Sequence, residues 1–525
     1  MLVLGVEGTA WAASAAIYDT DADTVSITSE RYEPDSGGLH PREAAEHMRE
    51  HIPEVVDAAL ATAPGPVDAV AFSRGPGLGP CLRIVATAAR AAAMRLEVPL
   101  VGVNHMIAHL EVGRHTAGFD RPVCLNASGA NAHLLTLQNG RYRVLGETMD
   151  TGVGNALDKF ARSVGWDHPG GPTIEAHAAD GEYVDLPYVV KGMDFSFAGI
   201  TSAAQAAVED SVPVEDVCKG LQETVFGMLT EVAERGLALT GSDELVLGGG
   251  VAQNRRLQSM LAEMSAARDA DFHVPEDRFL RDNAGMIAIL GAKMLAADDT
   301  LPVEDSRVRP DYRPDQVPVT WRSPPTPERG TDATRFRGAE ATIEIEADRV
   351  TKRRASKPYR HPDLDERLRR ERTVAEARLT ALARRQGVPT PVVLDVDTAT
   401  QTLVLQPVGD ADLRDAITEP RVRMVARHLA TLHDAGIVHG DPTVRNVRVD
   451  TGATDRVYLI DFGLGYHSND VEDHAMDLHV LTQSIAGTAA DADALIAAAQ
   501  AAYTDQGNDA VSDRLAEIDD RGRYR

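Results

Sequence analysis

Two apolar runs flank a short turn of small and polar residues at the start of the chain. Residues 2–6 and 12–18 carry the hydrophobic positions, and Glu7, Gly8 and Thr9 stand between them, which predicts strand, turn, strand. Residues 123–137, VCLNASGANAHLLTL, repeat that design, so two similar lobes are expected. Between them, EAAEHMREHIPEVV spaces its apolar residues as an amphipathic helix does. DAVAFSRGPGLGPCLRIVATAARAAAMRL reads as a strand, a loop rich in glycine and proline, and an alanine-rich helix. Its counterpart is ELVLGGGVAQNRRLQSMLAEM, where Gly248, Gly249 and Gly250 end a strand ahead of a helix. After DYR at 311–313, five prolines among polar residues predict a semi-extended linker. Beyond it GAEATIEIEADRVTKRR alternates as a hairpin, RTVAEARLTAL follows as a helix, and LIDFGLG sets a polar turn after an apolar strand.

Length and composition narrow the class. A chain of 525 residues holds two or more domains with full cores, and its hydrophobic content of 43% fits a globular protein. No apolar run reaches the roughly 18 residues of a membrane span. The N-terminus MLVLGVEGTAW lacks a basic leader region, so a cytoplasmic protein is expected. The cysteines, Cys81, Cys124 and Cys218, form no CxxC and read as reduced, partly buried thiols. A formal charge of −27 counts against nucleic acid in general. With six lysines against 47 arginines, however, the balance reads as adaptation to high salt, and local basic patches then matter more than the total.

The candidate chemistry centres on VGVNHMIAHL, residues 101–110. An apolar strand ends at Asn104, which can cap a helix carrying His105 and His109 one turn apart, and two such imidazoles can grip one metal ion. His47 and His51 share the spacing within the amphipathic helix. The position of His105 at the end of a strand, where α/β sheets bind ligands, separates the pairs. Asp282 opens the apolar helix of RFLRDNAGMIAILGAKML, as a cap or as an ionised metal ligand. The turn Glu7–Gly8–Thr9 either faces a phosphate or metal-bound water or is a plain hairpin turn. The paired glycine loops suit a nucleotide held in a cleft between lobes, with helix N–H groups facing its phosphates. Asp158 and Lys159 either hold ribose and phosphate or form an exposed helical pair. Gly170, Gly171 and Pro172 read as a turn before a helix, and KGMDFSFAGI as a substrate loop or a β-turn.

GVEGTAW, HPREAAEH, FSRGPGLGPCLR, GVNHMIAHL, ALDKFAR, GGGVAQN and DNAGMIA follow one another within residues 1–312. Together they resemble the universal tRNA threonylcarbamoyladenosine transferase family in its archaeal and eukaryotic KEOPS-complex form. The resemblance implies an α/β fold of two ASKHA (actin-like, ribonuclease H-like) lobes. It implies a metal on His105, His109 and Asp282, iron being favoured and zinc the alternative. The family's tyrosine ligand, in a YVSGG turn, falls on Asn126, which offers a carbonyl oxygen instead, and the second glycine falls on Ala130. Substrate binding is implied for Asn126, Ala127, Ser128, Gly129, Ala130, Asp158, Gly171, Glu175, Gly249, Gly250 and Asn254. The implied reaction moves a threonylcarbamoyl group from threonylcarbamoyl-AMP to the adenosine beside the anticodon of tRNAs reading ANN codons, releasing AMP.

The second half carries another constellation. Lys352 in a strand and Glu376 on the next helix match the ion pair that protein kinases use to hold nucleotide phosphates. HGDPTVRN supplies Asp441 and Asn446 at catalytic-loop spacing, and LIDFGLG supplies Asp461 in a DFG turn. The turn Gly338, Ala339, Glu340, Ala341 stands where a GxGxxG loop would cover ATP, and no APE segment follows. With KPYRHPDLD and the terminal RGR, residues 337–525 resemble the small atypical serine/threonine kinase of the same KEOPS complex, of bilobal α+β fold, which implies Mg²⁺ and ATP. Residues 1–312, 313–336 and 337–525 are thus the expected transferase domain, linker and kinase domain. The implied partners are tRNA, a small dimerising subunit on the first domain and a small tRNA-binding subunit on the second, with no membrane. Between Arg349 and Arg385, 13 Lys or Arg face six acids counting Asp348, for which an RNA-backbone contact is expected over a solvated helix face.

Competing readings are a metallopeptidase, an ASKHA nucleotide-binding chaperone or sugar kinase, and a scaffold attached to a regulatory kinase. HMIAH lacks the glutamate of HExxH that activates water, which ranks the peptidase low.

Overall fold

The computed structural model describes residues 1–32, 39–129, 131–138, 140–322, 335–452 and 455–521. The chain divides into two compact units, one built from Met1–Tyr188 and the segment resuming at Ser196, the other from Val189–Phe195 and the C-terminal part.

In the first unit β1 (Leu2–Glu7), β2 (Ala12–Asp19) and β3 (Thr24–Arg31) form an antiparallel meander. α1 (Pro41–Thr62) leads to β4 (Ala69–Gly75), and α2 (Gly79–Leu96) to β5 (Leu100–Asn104); both strands add in parallel, giving the order β3-β2-β1-β4-β5. α3 (His105–Ala117) then connects to the second sheet. There β6 (Val123–Ala127), β7 (Ala132–Gln138) and β8 (Arg141–Glu147) repeat the meander. After α4 (Val153–Ser163), α5 (Gly170–Ala178), the hairpin β9 (Val190–Lys191) and β10 (Asp194–Phe195), which belongs to the second unit, α6 (Ala198–Glu209) and α7 (Val214–Thr240), the parallel strands β11 (Glu244–Gly248) and β12 (Asp271–His273) complete it around α8 (Arg255–Ala267). Its order, β12-β11-β6-β7-β8, matches the first sheet, so the repeat legible in the sequence is the opening pair of strands of each lobe. α9 (Asp277–Leu280) and α10 (Ala284–Ala296) follow. The first sheet is covered on both faces, which is why its central strands are apolar throughout rather than alternating. Met48, Ile52 and Val85 of α1 and α2 pack on one face, Ile107 and Met286 of α3 and α10 on the other.

The expected linker begins as packed structure. Val317 is buried, Trp321 stacks on Tyr142 with centroids 6.4 Å apart, and Arg322 Nη1 lies 3.5 Å from the Glu111 carboxylate. Proline content predicted extension, but the apolar and cationic residues between the prolines find partners on the first unit. Residues 323–334 lie outside the described residues.

The second unit opens with β13 (Arg335–Arg337), β14 (Ala341–Ile345) and β15 (Val350–Arg354), the predicted hairpin placing Ile343 opposite Lys352. α11 (Pro362–Arg385) precedes β16 (Val393–Asp397) and β17 (Thr402–Leu405), and the sheet order is β13-β14-β15-β17-β16. The remainder is mainly helical. β18 (Ala411–Asp412) and α12 (Glu419–Asp434) lead to the short strands β19 (Ile437–Val438), β20 (Val447–Val449), β21 (Val457–Leu459) and β22 (Tyr466–His467). α13 (Val471–Thr488), α14 (Ala492–Thr504) and α15 (Asp509–Arg521) finish it around Val422, Leu429, Phe462 and Leu478.

Candidate active sites

Asn104 ends β5 and caps α3, its Oδ1 accepting from the Ile107 N–H at 3.1 Å and its Nδ2 donating to the Tyr312 carbonyl at 2.8 Å. From His105 to Gly113 the helix is buried all round, so neither histidine can satisfy its ring nitrogens with bulk water. Asp282 meets both: its Oδ1 lies 3.4 Å from His105 Nε2 and 3.3 Å from His109 Nε2. Asp282 is not the cap of α10. Asn283 takes that role by accepting from the Met286 N–H at 3.1 Å, which leaves the aspartate to turn toward α3. Among the described residues these three form the single group of close metal-ligand atoms, all within 4.8 Å of one another.

Glu7 stands behind His105. It is fully buried and accepts from the Thr9 N–H at 2.8 Å, from the Ser73 hydroxyl, and from His105 Nδ1 at 3.2 Å. The turn after β1 is therefore more than a hairpin turn: its carboxylate orients the His105 ring so that Nε2 faces Asp282. Burial would lower the His105 pKa, but Glu7 and Asp282 raise it to about 10. His109 is lowered by burial and by its neighbour His105. Burial disfavours the Asp282 carboxylate, yet the two imidazoles hold it ionised below its ordinary range. The donors, two imidazoles and one carboxylate, suit a divalent metal of intermediate softness. At the end of β6 the buried Asn126 Oδ1 has no hydrogen-bond partner among the described residues. Gly249 is pressed against that amide. Its φ is +87°, and a Cβ there would stand 2.3 Å from the Ala127 carbonyl and 2.6 Å from Asn126 Oδ1.

The residues expected at the nucleotide form a second, linked group. The turn after β6 packs on the start of α4, with Gly154 N–H donating to the Ser128 carbonyl at 3.2 Å and Asn155 N–H to that of Gly129 at 2.9 Å. Ala130 lies outside the described residues. Asp158 does not form an exposed pair with Lys159. Its Oδ1 accepts from Gly170 N–H at 2.7 Å and its Oδ2 lies 3.1 Å from His168 Nδ1, while Lys159 is exposed. Gly170 begins α5 rather than preceding it, and no atom would crowd a Cβ at Gly171. Glu175 Oε1 accepts from Arg255 N–H at 2.8 Å, and Asn254 caps α8 by accepting from Arg256 and Leu257 N–H at 2.9 and 3.1 Å. Gly250 opens the turn before that cap. KGMDF forms the β9–β10 hairpin. The three cysteines are fully buried free thiols.

Sequence reasoning overlooked Ser73 as a partner of Glu7. The signal was present: an acid and a serine follow the apolar runs of GVE and AFS, and β1 and β4 pair in parallel with Val6 beside Phe72.

In the second unit Lys352 Nζ lies 2.8 Å from Glu376 Oε1 and 2.7 Å from Asp461 Oδ1. Asp461 has φ of 64°, a strained value for a non-glycine residue that recurs at functional turns. Asn446 Nδ2 donates to Asp441 Oδ2 at 2.8 Å. The GAEA turn closes through Gly338 N–H to the Ala341 carbonyl at 2.9 Å. Of the 13 cations from Arg349 to Arg385, Lys352, Arg354, Lys357, Arg360 and Arg372 are buried, while Arg349, Arg353, Arg370, Arg378, Arg384 and Arg385 are exposed. The charge count along the run included Asp365 and Glu376, which face these cations, but not Glu340, which precedes it.

A family profile described as tRNA N6-adenosine threonylcarbamoyltransferase (TsaD) matches residues 23–289, and one described as the lipopolysaccharide kinase (Kdo/WaaP) family matches residues 359–499. A protein of Halobacterium salinarum is 68% identical over 529 residues, covering 100% of this chain and 99% of its own. One from Haloarcula marismortui is 63% identical, covering 100% of both chains, and one from Methanospirillum hungatei is 50% identical, covering 99% of both. Each is named "Probable bifunctional tRNA threonylcarbamoyladenosine biosynthesis protein". This chain belongs to that bifunctional family, a threonylcarbamoyltransferase-type ASKHA domain followed by a kinase-type domain.

Proposed function

We propose that the first unit transfers the threonylcarbamoyl group of threonylcarbamoyl-AMP to the N6 amine of the adenosine beside the anticodon in tRNAs reading ANN codons. The observation that carries this reading is the convergence of His105, His109 and Asp282, whose ligand atoms lie within 4.8 Å of one another. A metal held there, iron by family or zinc, would supply Lewis acidity at the threonylcarbamoyl carbonyl. Glu7 orients the His105 ring through Nδ1, and Gly249 and Gly250 let backbone approach the nucleotide. Asp158, Glu175 and Asn254 hold the starts of α5 and α8 in place. The amine forms the new N–C bond, the C–O bond to AMP breaks, and the amine loses its proton. AMP is a good leaving group, so positioning and charge stabilisation suffice. Supplying threonylcarbamoyl-AMP and unmodified tRNA in high salt, with a small dimerising and a small tRNA-binding KEOPS subunit, should yield the modified nucleoside. Its absence would overturn the reading.

The second unit is read as an Mg²⁺-ATP-dependent kinase or ATPase that regulates the first. Lys352 contacts phosphates and is oriented by Glu376, Asp461 and Asn446 serve as metal ligands, and Asp441 takes the acceptor proton. Asp441→Ala should abolish ATP turnover, and unchanged turnover would remove the assignment. No helix among the described residues is long and apolar enough to cross a membrane, and tRNA and ATP as substrates favour a cytoplasmic enzyme.

A further inference from the structure

The nucleotide end of the second unit holds more cations than one phosphate-binding lysine requires. Lys352 and Arg354 lie two residues apart on β15, share a face of the strand and are both buried. One carboxylate serves both, Glu376 Oε1 lying 2.8 Å from Lys352 Nζ and Oε2 2.7 Å from Arg354 Nη2. Arg354 also reaches the DFG turn, since a Cβ on Gly463 would stand 2.2 Å from its Nη2. Its guanidinium therefore sits at the same end of the cleft as Asp461.

A second carboxylate, Glu340 of the GAEA turn, closes this cluster. Its Oε2 lies 2.6 Å from Arg354 Nη1 and its Oε1 2.8 Å from Arg372 Nη1, so its two oxygens bridge two guanidiniums as a phosphoryl group does. The adjoining cavity is lined by Glu340, Arg354, Lys357, Arg360, Arg369 and Arg372, one acid among five cations, with room for about one water. The Glu340 backbone is held separately, its carbonyl accepting from Ala355 N–H at 3.1 Å, so the side chain can swing away without undoing the turn. Withdrawing Glu340 would take its negative charge from between Arg354 and Arg372, a position suited to another anion.

We propose that Arg354 and Arg372 form a subsite for the terminal phosphate of ATP, and that the Glu340 carboxylate is a stand-in anion that this phosphate displaces. The inference rests on the reading of the second unit as an ATP-binding kinase. The turn then regulates access by charge, where a glycine-rich loop would do so by backbone freedom.

Calorimetric binding of ATP and of AMP to the full chain tests this, the first unit being identical in every variant so that its own nucleotide binding cancels. Glu340→Gln should tighten ATP about tenfold and lower the KM of ATP turnover by a similar factor. AMP, lacking the terminal phosphate, should shift less than about twofold. Arg354→Lys, which keeps the charge and loses the fork, should weaken ATP about tenfold or more with AMP unchanged. Arg372→Lys repeats that test from the helix side if the first variant does not fold. A Glu340→Gln chain that binds ATP more weakly or no differently, or that shifts ATP and AMP alike, would make Glu340 a strut of the turn and overturn the proposal. Unchanged ATP binding and turnover in Lys352→Met would instead remove the ATP-binding reading, and this inference with it.

Discussion

Helices α1 and α3 each carry two histidines four residues apart, and one pair alone meets a shared carboxylate. α1 buries a single stripe through Ala44, Met48, Ile52, Val55 and Ala59, and His47 and His51 lie beside it, facing the Glu30 carbonyl and Glu54. α3 is enclosed by both sheets and α10, so its imidazoles are cut off from water and must be satisfied by protein or ligand. Spacing makes a chelate possible; enclosure and a converging carboxylate make it a site.

The largest expected effect separates the pairs by activity. His105→Ala should lower threonylcarbamoyl transfer about 1000-fold, while His47→Ala should change it less than about twofold; equal losses would break the comparison. Next comes Glu111, also on α3, which is fully buried between Lys293, Arg114, Tyr142 and Arg322. Burial would raise its pKa, but Lys293 and Arg114 hold it at about 2. Because the folded value is depressed, its stabilisation is present above the ordinary carboxylate range and is lost as pH falls toward 2. Glu111→Gln should therefore cost about 3 kcal/mol near neutral pH in denaturant titrations, with the gap to wild type closing in acid. A gap independent of pH would assign its effect to shape. A smaller effect is expected at Glu7: Glu7→Gln should weaken metal binding about tenfold in chelator competition, where Glu54→Gln beside His51 should not. Smallest is the cap. Asn104→Ala should cost about 1 kcal/mol by thermal denaturation; α1 lacks such a cap, since its N-cap His40 makes no side-chain capping bond.

Local chemistry was readable in advance where it followed from neighbours along the chain. The repeated strand–turn–strand, the Asn104 cap, the Ile343–Lys352 hairpin and the Asp441–Asn446 spacing are all of this kind. What escaped depended on distant segments meeting. Asp282 and Asn283 are equally able to cap a helix, and which one does so is decided by where α3 lies. Glu7 gains Ser73 and His105 only through the parallel placement of β1, β4 and β5. The charge count from Arg349 to Arg385 left out Glu340, the partner of Arg354 on β15 and Arg372 on α11, because it lies outside that stretch in the turn before β14.

The scarcity of lysine has a practical outcome for labelling chemistry. Of the six lysines Lys159 alone is exposed, and it follows Asp158, whose carboxylate holds the first N–H of α5. An amine-reactive dye or isotope-coded reagent applied to the folded chain should therefore mark chiefly Lys159 and the terminal amine. The protein comes with a nearly single-site tag beside its candidate nucleotide residues, suited to fluorescence or mass-spectrometric footprinting without any engineered handle.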